Sequence, residues 1–470
     1  MQRNHPANET LVKLTVWEGK ARVQQRSGQT ASNSSRPVEG LLTTALAPVS
    51  ALLFSVSLLL MGNGLQGTLV PVRGNMEGFT PIELGLLGTA YFLGFTFGCM
   101  HGPLLVRRSG HIRAYLAMTS LASVVALLHS LYVDPVGWWA LRAVTGYCFA
   151  ILYIVIESWL NARSDNRTRG TVFSIYTAIN LTVITAGQMM LGLASPESFT
   201  LFAFAAILVS LAALPIAFTG SASPEQPEFV RPRIAKLFRI SPVGAAGCFA
   251  VGLANGAFWA LGPVFAQNEG FNINEIAVFM SAVVLGGALA QWPLGSLSDR
   301  MDRRIVMVLA AIIALVAALV LMTLPQADRL MMVTAGAVFG AGAFPLYAIA
   351  VAHANDYADA KQSVEVSSGL LLIYGTGAAI GPLLASLWKE AVSGPSLFFF
   401  TAAVHVVLTG YVVWRMSQRV PAEPDQRVHF AEAAIVAQTV LPIEPAAVSA
   451  ETAEQAKREH EEQAACRATD

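Results

Sequence analysis

The 470 residues carry 54% hydrophobic and 13% charged side chains with a formal net charge of zero. Soluble domains average roughly 25% charged residues, so this composition excludes an ordinary soluble protein, and no basic tract points to nucleic acid as a partner. The cysteines, Cys99, Cys148, Cys248 and Cys466, are scattered, which favours buried free thiols over a disulfide framework or a metal site.

Residues 1–44 are polar and aperiodic and read as a disordered cytosolic extension, because a secretory signal places its apolar stretch nearer the start. Crossing a bilayer takes roughly 20 apolar residues as helix, since every backbone group must be bonded within the segment. Runs of that length cover 46–70, 82–104, 112–132, 136–160, 170–193 and 200–218. A Pro- and charge-containing linker at 220–241 is too polar to span. Six more runs follow at 243–265, 273–294, 305–324, 330–352, 366–387 and 397–414. The expected organisation is therefore six spans within 45–219, the linker, six spans within 242–416, and a polar, disordered cytosolic tail at 417–470.

Lys and Arg stay on the cytosolic side of membrane proteins. The connections on one side hold Arg107, Arg108, Arg113, Arg163, Arg167, Arg169, Arg231, Arg233, Lys236, Arg239, Arg300, Arg303, Arg304 and Lys361. The other side holds only Arg73, Arg329 and Lys389, a ratio of fourteen to three that puts both termini in the cytoplasm.

The two halves repeat. A gapless shift of 192 positions lays Asn63-Gly64 on Asn255-Gly256, Pro71-Val72 on Pro263-Val264, Glu77-Gly78-Phe79 on Glu269-Gly270-Phe271, and Gly94 on Gly286. Parallel repeats of this kind suit two bundles related by an axis along the membrane normal, with a solute site near the midplane between them.

The charges concentrate in one loop, Pro-Leu-Gly295-Ser-Leu-Ser-Asp299-Arg300-Met-Asp302-Arg303-Arg304. In the fourth span Arg142, Gly146, Phe149, Tyr153 and Glu157 fall on one helix face. An arginine inside a span costs roughly 2.5–3.5 kcal/mol on insertion scales, so Arg142 should face a cavity or a partner rather than lipid. The glycine triplet Gly94, Gly98 and Gly102 reads as a close helix contact. No phosphate-binding loop, His-Glu-x-x-His or nucleophile elbow is present, so neither an enzyme nor a cofactor is expected.

The 293–304 loop closely resembles the cytoplasmic loop motif of the major facilitator superfamily of membrane transporters, apart from Asp302 where a glycine is usual. Arg142-x-x-x-Gly146 resembles the fourth-span motif of the same family. Gly62–Gly67, Ser109-Gly110-His111-Ile112-Arg113, Glu157-Ser158-Trp159-Leu160-Asn161 and Ala352-His353-Ala354-Asn355-Asp356 look like an uncharacterised bacterial branch. The glycine-rich antiporter motif of the fifth span is absent. The resemblance covers about 46–415 and implies an all-α membrane protein, twelve transmembrane helices forming two pseudo-symmetric six-helix bundles.

The resemblance also aims spans one, four, seven and ten at a central cavity. The expected solute-binding set is Asn63, Gln66, Arg142, Tyr153, Asn255, Trp259, Phe344 and Tyr347, with Tyr374 from the eleventh span. Amides and aromatics with a single arginine suit a neutral or mildly anionic solute with a flat portion. A cytosolic gate is expected from Arg107, Arg108, Glu157, Asp299, Arg300, Arg303 and Glu365. Asp299 would lie against the start of the fifth span, Arg107 would pair with Glu365, and Glu157 would pair with a loop arginine. The implied function is a secondary active or facilitative transporter moving a small organic solute by alternating access, with or without a co-transported proton. A transport-incompetent sensor or scaffold signalling through its tails is the alternative, and an exporter of amphipathic compounds the alternative within transport. The expected setting is the plasma membrane (the inner membrane of a prokaryote), the bilayer as partner, and a monomer.

Overall fold

A computed structural model of the chain describes residues 49–164, 169–218, 233–323, 328–358, 363–391, 396–420 and 430. The expectations for 1–44, for 220–232 of the linker and for most of the 417–470 tail lie outside the described residues.

Among the described residues twelve helices are long and apolar enough to cross a membrane. In the first half they are α1 (Ser50–Met76), α2 (Pro81–Ser109), α3 (His111–Leu131), α4 (Pro135–Arg163), α5 (Gly170–Leu193) and α6 (Phe199–Ala217). In the second they are α7 (Pro242–Asn268), α8 (Ile273–Arg300), α9 (Arg303–Thr323), α10 (Arg329–Asn355), α11 (Glu365–Glu390) and α12 (Leu397–Met416). A short linker helix, Ile234–Ile240, precedes α7. Each span matches a run read from the sequence, and the described residues contain no strand.

Local chemistry sets the ends, and it repeats between halves. Thr80 and Glu83 form a reciprocal capping box at the start of α2, and Asn272 and Glu275 form the same box at the start of α8. The preceding turns need a left-handed residue and find Gly78 (φ 80°) and Gly270 (φ 76°). All three positions differ by the same 192 residues (272 − 80, 275 − 83, 270 − 78). Asp134 before Pro135 and Ser241 before Pro242 cap α4 and α7 by accepting the Gly137 and Gly244 amides.

The helices of each half are held by matched close approaches of backbone. A Cβ on Gly94 of α2 would overlap the Ala143 carbonyl of α4, and one on Gly146 would overlap the Tyr91 carbonyl. Gly286 and Gly340 stand in the same relation to the Ala337 and Val283 carbonyls across α8 and α10. Gly64 and Gly187 join α1 to α5 at Ile184 and Met61, and Gly256 and Gly381 join α7 to α11 at Ala378 and Leu253. The repeat is thus carried into the helix crossings themselves, as expected where small residues let backbones meet in lipid.

On the outside, Leu289, Trp292 and Val407 are 77%, 81% and 71% exposed, a belt that suits lipid and not water. Cys99, Cys148 and Cys248 are free thiols.

The two bundles meet most closely at one end. There Asn75 Nδ2 donates to Gln267 Oε1 at 2.8 Å and to Asn268 Oδ1 at 3.2 Å, joining the ends of α1 and α7. In the same half of the molecule a Cβ on Gly85 of α2 would overlap Ser386 and the Pro382 carbonyl of α11, and one on Gly88 would overlap Ala260 of α7.

Gly94→Ala and Gly286→Ala are expected to destabilise alike, by about 1–3 kcal/mol of overpacking. Gly410→Ala, where nothing lies within 4 Å of the new methyl, should not destabilise. Thermal unfolding of the purified variants checks both.

Candidate functional site

A cavity of about 240 Å³ lies where α1, α2, α4, α5, α7 and α8 converge. Asn63, halfway along α1, Arg142 and Tyr153 on one face of α4, and Trp259 of α7 line it, as the sequence suggested. Tyr91 and Phe92 of α2, Gln188 of α5 and Met280 of α8 complete the wall, and the sequence reading did not single these out. The available signal for Gln188 was an amide inside an apolar span, with Tyr91 a phenol in mid-span.

Arg142 is the charged residue of the lining. Its guanidinium carbon sits 4.5 Å from the centre of the Tyr91 ring, a cation–π contact. Arg142 is 8% exposed, and its Nε has no hydrogen-bond partner. Gln188 is 1% exposed, and its Oε1 is likewise unbonded. Among the described residues no Asp or Glu lines the cavity.

The remaining expected binding residues are outside this lining. Phe344 stacks on the outer face of Trp259, with centroids 5.6 Å apart and planes at 15°, and so fixes the indole that the cavity meets. Tyr347 and Tyr374 pack against each other at 4.6 Å, with the buried Asn255 beside Tyr374. Gln66 is 1% exposed and outside the lining, its Nε2 without a partner. The tenth span therefore supports the cavity rather than facing it, while α2, α5 and α8 supply lining that the sequence reading gave to none of them.

A larger hollow of about 780 Å³ opens between α7, α11 and α12 and is lined by apolar side chains such as Phe249, Leu387 and Phe400. Among the described residues its lining holds no charged group, only the phenol of Tyr411 and the indole N–H of Trp388, so it lacks the convergent polar chemistry of a solute site.

At the opposite, basic end the loop charges are bound within the second half. Arg303 is 1% exposed; its Nε donates to Asp356 Oδ2 at 2.6 Å and its Nη1 to Ser298 Oγ at 2.9 Å, with Asp299 at 3.5 Å. Arg304 binds Asp302 at 2.7 Å and donates to the Arg419 carbonyl. Burial works against the charged Asp302 carboxylate, but the hydrogen bonds from Arg304 outweigh it and hold the group below its ordinary value. That pair adds stability above the ordinary carboxylate range and loses it as pH falls through the lowered value. Asp356 ends the Ala352-His353-Ala354-Asn355-Asp356 segment, which gave the sequence signal for a partner of Arg303 that was not drawn.

Asp299 has a different occupant from the one expected. The Phe430 amide donates to its Oδ1 at 2.8 Å, and the Phe430 ring covers Gly295 so closely that a Cβ there would overlap it. Glu365 binds Lys236 of the linker helix at 3.1 Å and Arg233 at 3.8 Å. The expected Arg107–Glu365 pair is not formed in this structure, where Arg107, Arg108 and Arg300 are exposed. Glu157 is fully buried, with the Tyr176 hydroxyl 3.5 Å from its Oε1.

With this geometry in place, the comparisons with known proteins are direct. The profile of the Major Facilitator Superfamily matches residues 52–272 and again 244–450. The chain belongs to the major facilitator superfamily. It is 26% identical over 362 residues to YcaD of Escherichia fergusonii, an uncharacterized MFS-type transporter, covering 77% of this chain and 94% of that one. Among solved structures it resembles the nucleoside transporter NupG (TM-score 0.68, 12% identity, 79% of this chain and 99% of that one). It also resembles a bacterial homolog of the human lysosomal transporter Spinster (TM-score 0.65, 15% identity, 81% and 98%). At such identities the likeness carries the fold alone. The protein is a multi-pass membrane transporter of an uncharacterised bacterial branch, not an enzyme.

Removing one partner of the buried Arg303–Asp356 pair is expected to cost about 3–5 kcal/mol, and replacing both by apolar residues less. Thermal unfolding of Asp356→Ala against Arg303→Met/Asp356→Leu reads the difference. Gly295→Ala should expel the Phe430 ring and speed proteolysis of the tail around residue 430, with the transmembrane core unaffected.

Proposed function

We propose that the chain is a secondary transporter that moves a small organic solute by alternating access, with the cavity around Arg142 as its solute site. The observation that carries this reading is a polar, partly unbonded cavity at the meeting of helices from both halves. An unbonded guanidinium and amide in that position await partners that the protein does not supply. The monomer is the working unit, since both halves of the cavity wall come from one chain.

The basic end is taken to face the cytoplasm, on the asymmetry of Lys and Arg between the two sets of loops. Both termini are then cytosolic, and the Asn75–Gln267 contact seals the outer face. In the alternate state the outer seal opens and the basic end closes, and the exposed Arg107, Arg108 and Arg300 form the inner gate with Glu365, while Arg303 and Asp299 stay bound within the second half. The exposed Arg107 is free to reach Glu365 once the bundles rock, displacing Lys236. Energy comes from the solute's own gradient or from a coupled proton, for which the buried Glu157 is the candidate carrier.

Two cysteines at Asn75→Cys and Gln267→Cys, in a background lacking the native cysteines, test the cycle. Cross-linking should arrest uptake into proteoliposomes by at least tenfold, and a reductant should restore it. Unchanged uptake in the cross-linked protein would overturn alternating access at this seal. An uptake rate insensitive to an imposed proton gradient would remove the proton-coupled version and leave facilitated diffusion.

A further inference from the structure

We infer that the solute held in this cavity is an organic anion with a flat apolar part, its negative charge on Arg142 and its flat part against Tyr91, Tyr153 and Trp259. The inference rests on the cavity being the solute site and goes further by assigning the sign of the solute's charge.

The argument begins with what surrounds the guanidinium. Arg142 is more than nine-tenths buried, it lines the cavity, and among the described residues it makes neither an ion pair nor a hydrogen bond. Its contact within the protein is the face of Tyr91, which offers the negative side of a ring quadrupole and no formal charge. Glu157 is on the same helix but fifteen residues away, which is roughly 22 Å at 1.5 Å per residue. A buried ion is normally paired or hydrogen-bonded. This one is left to a ring on one side and to the cavity on the other.

The sign of the field follows. A cavity lined by one arginine and no acid repels a cation, and a neutral solute can accept a hydrogen bond from the guanidinium but cannot neutralise it. A carboxylate or phosphonate satisfies it with two parallel charge-assisted hydrogen bonds. The rest of the wall sets the remainder of the molecule. Tyr91, Phe92, Tyr153 and Trp259 present aromatic surface, and Trp259 is braced from behind by Phe344. The unbonded Gln188 Oε1 is placed to accept an N–H or O–H from the solute. At about 240 Å³ the cavity is smaller than most drug-sized pockets, roughly 300–1,000 Å³, which limits the solute to about one or two rings.

The mechanical consequence is that the solute completes an electrostatic pair which the empty cavity lacks. A ligand shifts a conformational equilibrium only through a difference in interaction between states. Neutralising Arg142 supplies that difference at the place where the two halves meet.

The test uses shape-matched probes on the purified full chain: acetate, benzoate and 2-naphthoate, each beside its amide and its amidinium, with phenylphosphonate beside benzoate. Thermal stabilisation in detergent gives the apparent affinities. The expected result is that at least one carboxylate or phosphonate binds ten times or more tighter than its amide, with no stabilisation by any amidinium. The benzoate and phenylphosphonate arms report which anion the site prefers. Arg142→Gln should erase that preference, and Arg142→Lys should keep its sign at reduced strength. The proposal is overturned if no anion in the panel exceeds its amide, if an amidinium binds best, or if Arg142→Gln retains the preference. Proteoliposome uptake separates the two readings. An anion that binds through Arg142 but is never taken up leaves this site standing and removes the transport cycle. Saturable uptake confined to neutral or cationic solutes keeps the cycle and removes the anion.

Discussion

In hydrocarbon no water is available to satisfy a backbone amide, so each span bonds internally as a helix. The hydrophobic effect then gives no reason for one helix to prefer another to lipid, and packing must do so. In this protein the packing rests on glycine. Gly94 and Gly146 bring α2 onto α4, Gly64 and Gly187 bring α1 onto α5, and the second half repeats both crossings. At those points backbone meets backbone with no side chain between, which leaves little freedom for the helices to slide. The rocking of the halves proposed above would leave these crossings intact and act at the surface between the halves. The surface between the halves carries an amide pair at Asn75 and Gln267, and close approaches of Gly85 and Gly88 to α11 and α7 that meet side chains as well as backbone. Inside the bundles the glycine contacts are backbone on backbone, and between them they fall mostly on side chains.

The cavity is formed where that surface passes the middle of the helices. Its polar groups come mostly from the first half (Asn63, Tyr91, Arg142, Tyr153, Gln188), while the second half brings Trp259, Ala260 and Met280. One half thus holds the chemistry and the other an apolar lid over it. A solute bound to Arg142 would travel with the first half while the second moves over it.

Much of this arrangement was legible before any coordinates. The spans could be read because about 20 apolar residues in a row have few other uses. The repeat could be read because turns and crossings constrain glycines and caps at fixed spacing, as Gly78 and Gly270 or Gly94 and Gly286 do. Asn63, Arg142, Tyr153 and Trp259 were legible as polar or amphipathic groups on spans that the family resemblance turns inward. Tyr91 and Gln188 were not, because a polar side chain in an apolar span serves an interhelical contact as well as a cavity. Asn255, Tyr347 and Tyr374 show the same ambiguity from the other side, being polar or amphipathic, centrally placed, and packed on one another outside the lining. The rotation of a helix by one residue separates these outcomes, and periodicity does not resolve it.

The basic end shows how far a motif can be read through charge alone. The motif places Asp299 and Arg303 in a cytosolic gate, with Asp299 against the start of the fifth span, yet the structure binds Arg303 to Asp356 and Asp299 to the Phe430 amide, all within the second half and its tail. The physical distinction is burial. Arg303 and Asp356 are 1% and 2% exposed, so their separation would strand two desolvated charges, and a pair of that kind cannot be broken at every turn of a cycle. Arg107, Arg108 and Arg300 are exposed, and exposed pairs contribute about 0–1 kcal/mol, an energy suited to contacts that form and release. Glu365 lies between these classes: its partners Lys236 and Arg233 belong to the linker, and Lys236 is 34% exposed against 17% for Glu365. The gate proposed at this end therefore draws on the exposed arginines and Glu365, while Arg303 and Asp356 hold together the surface beside them.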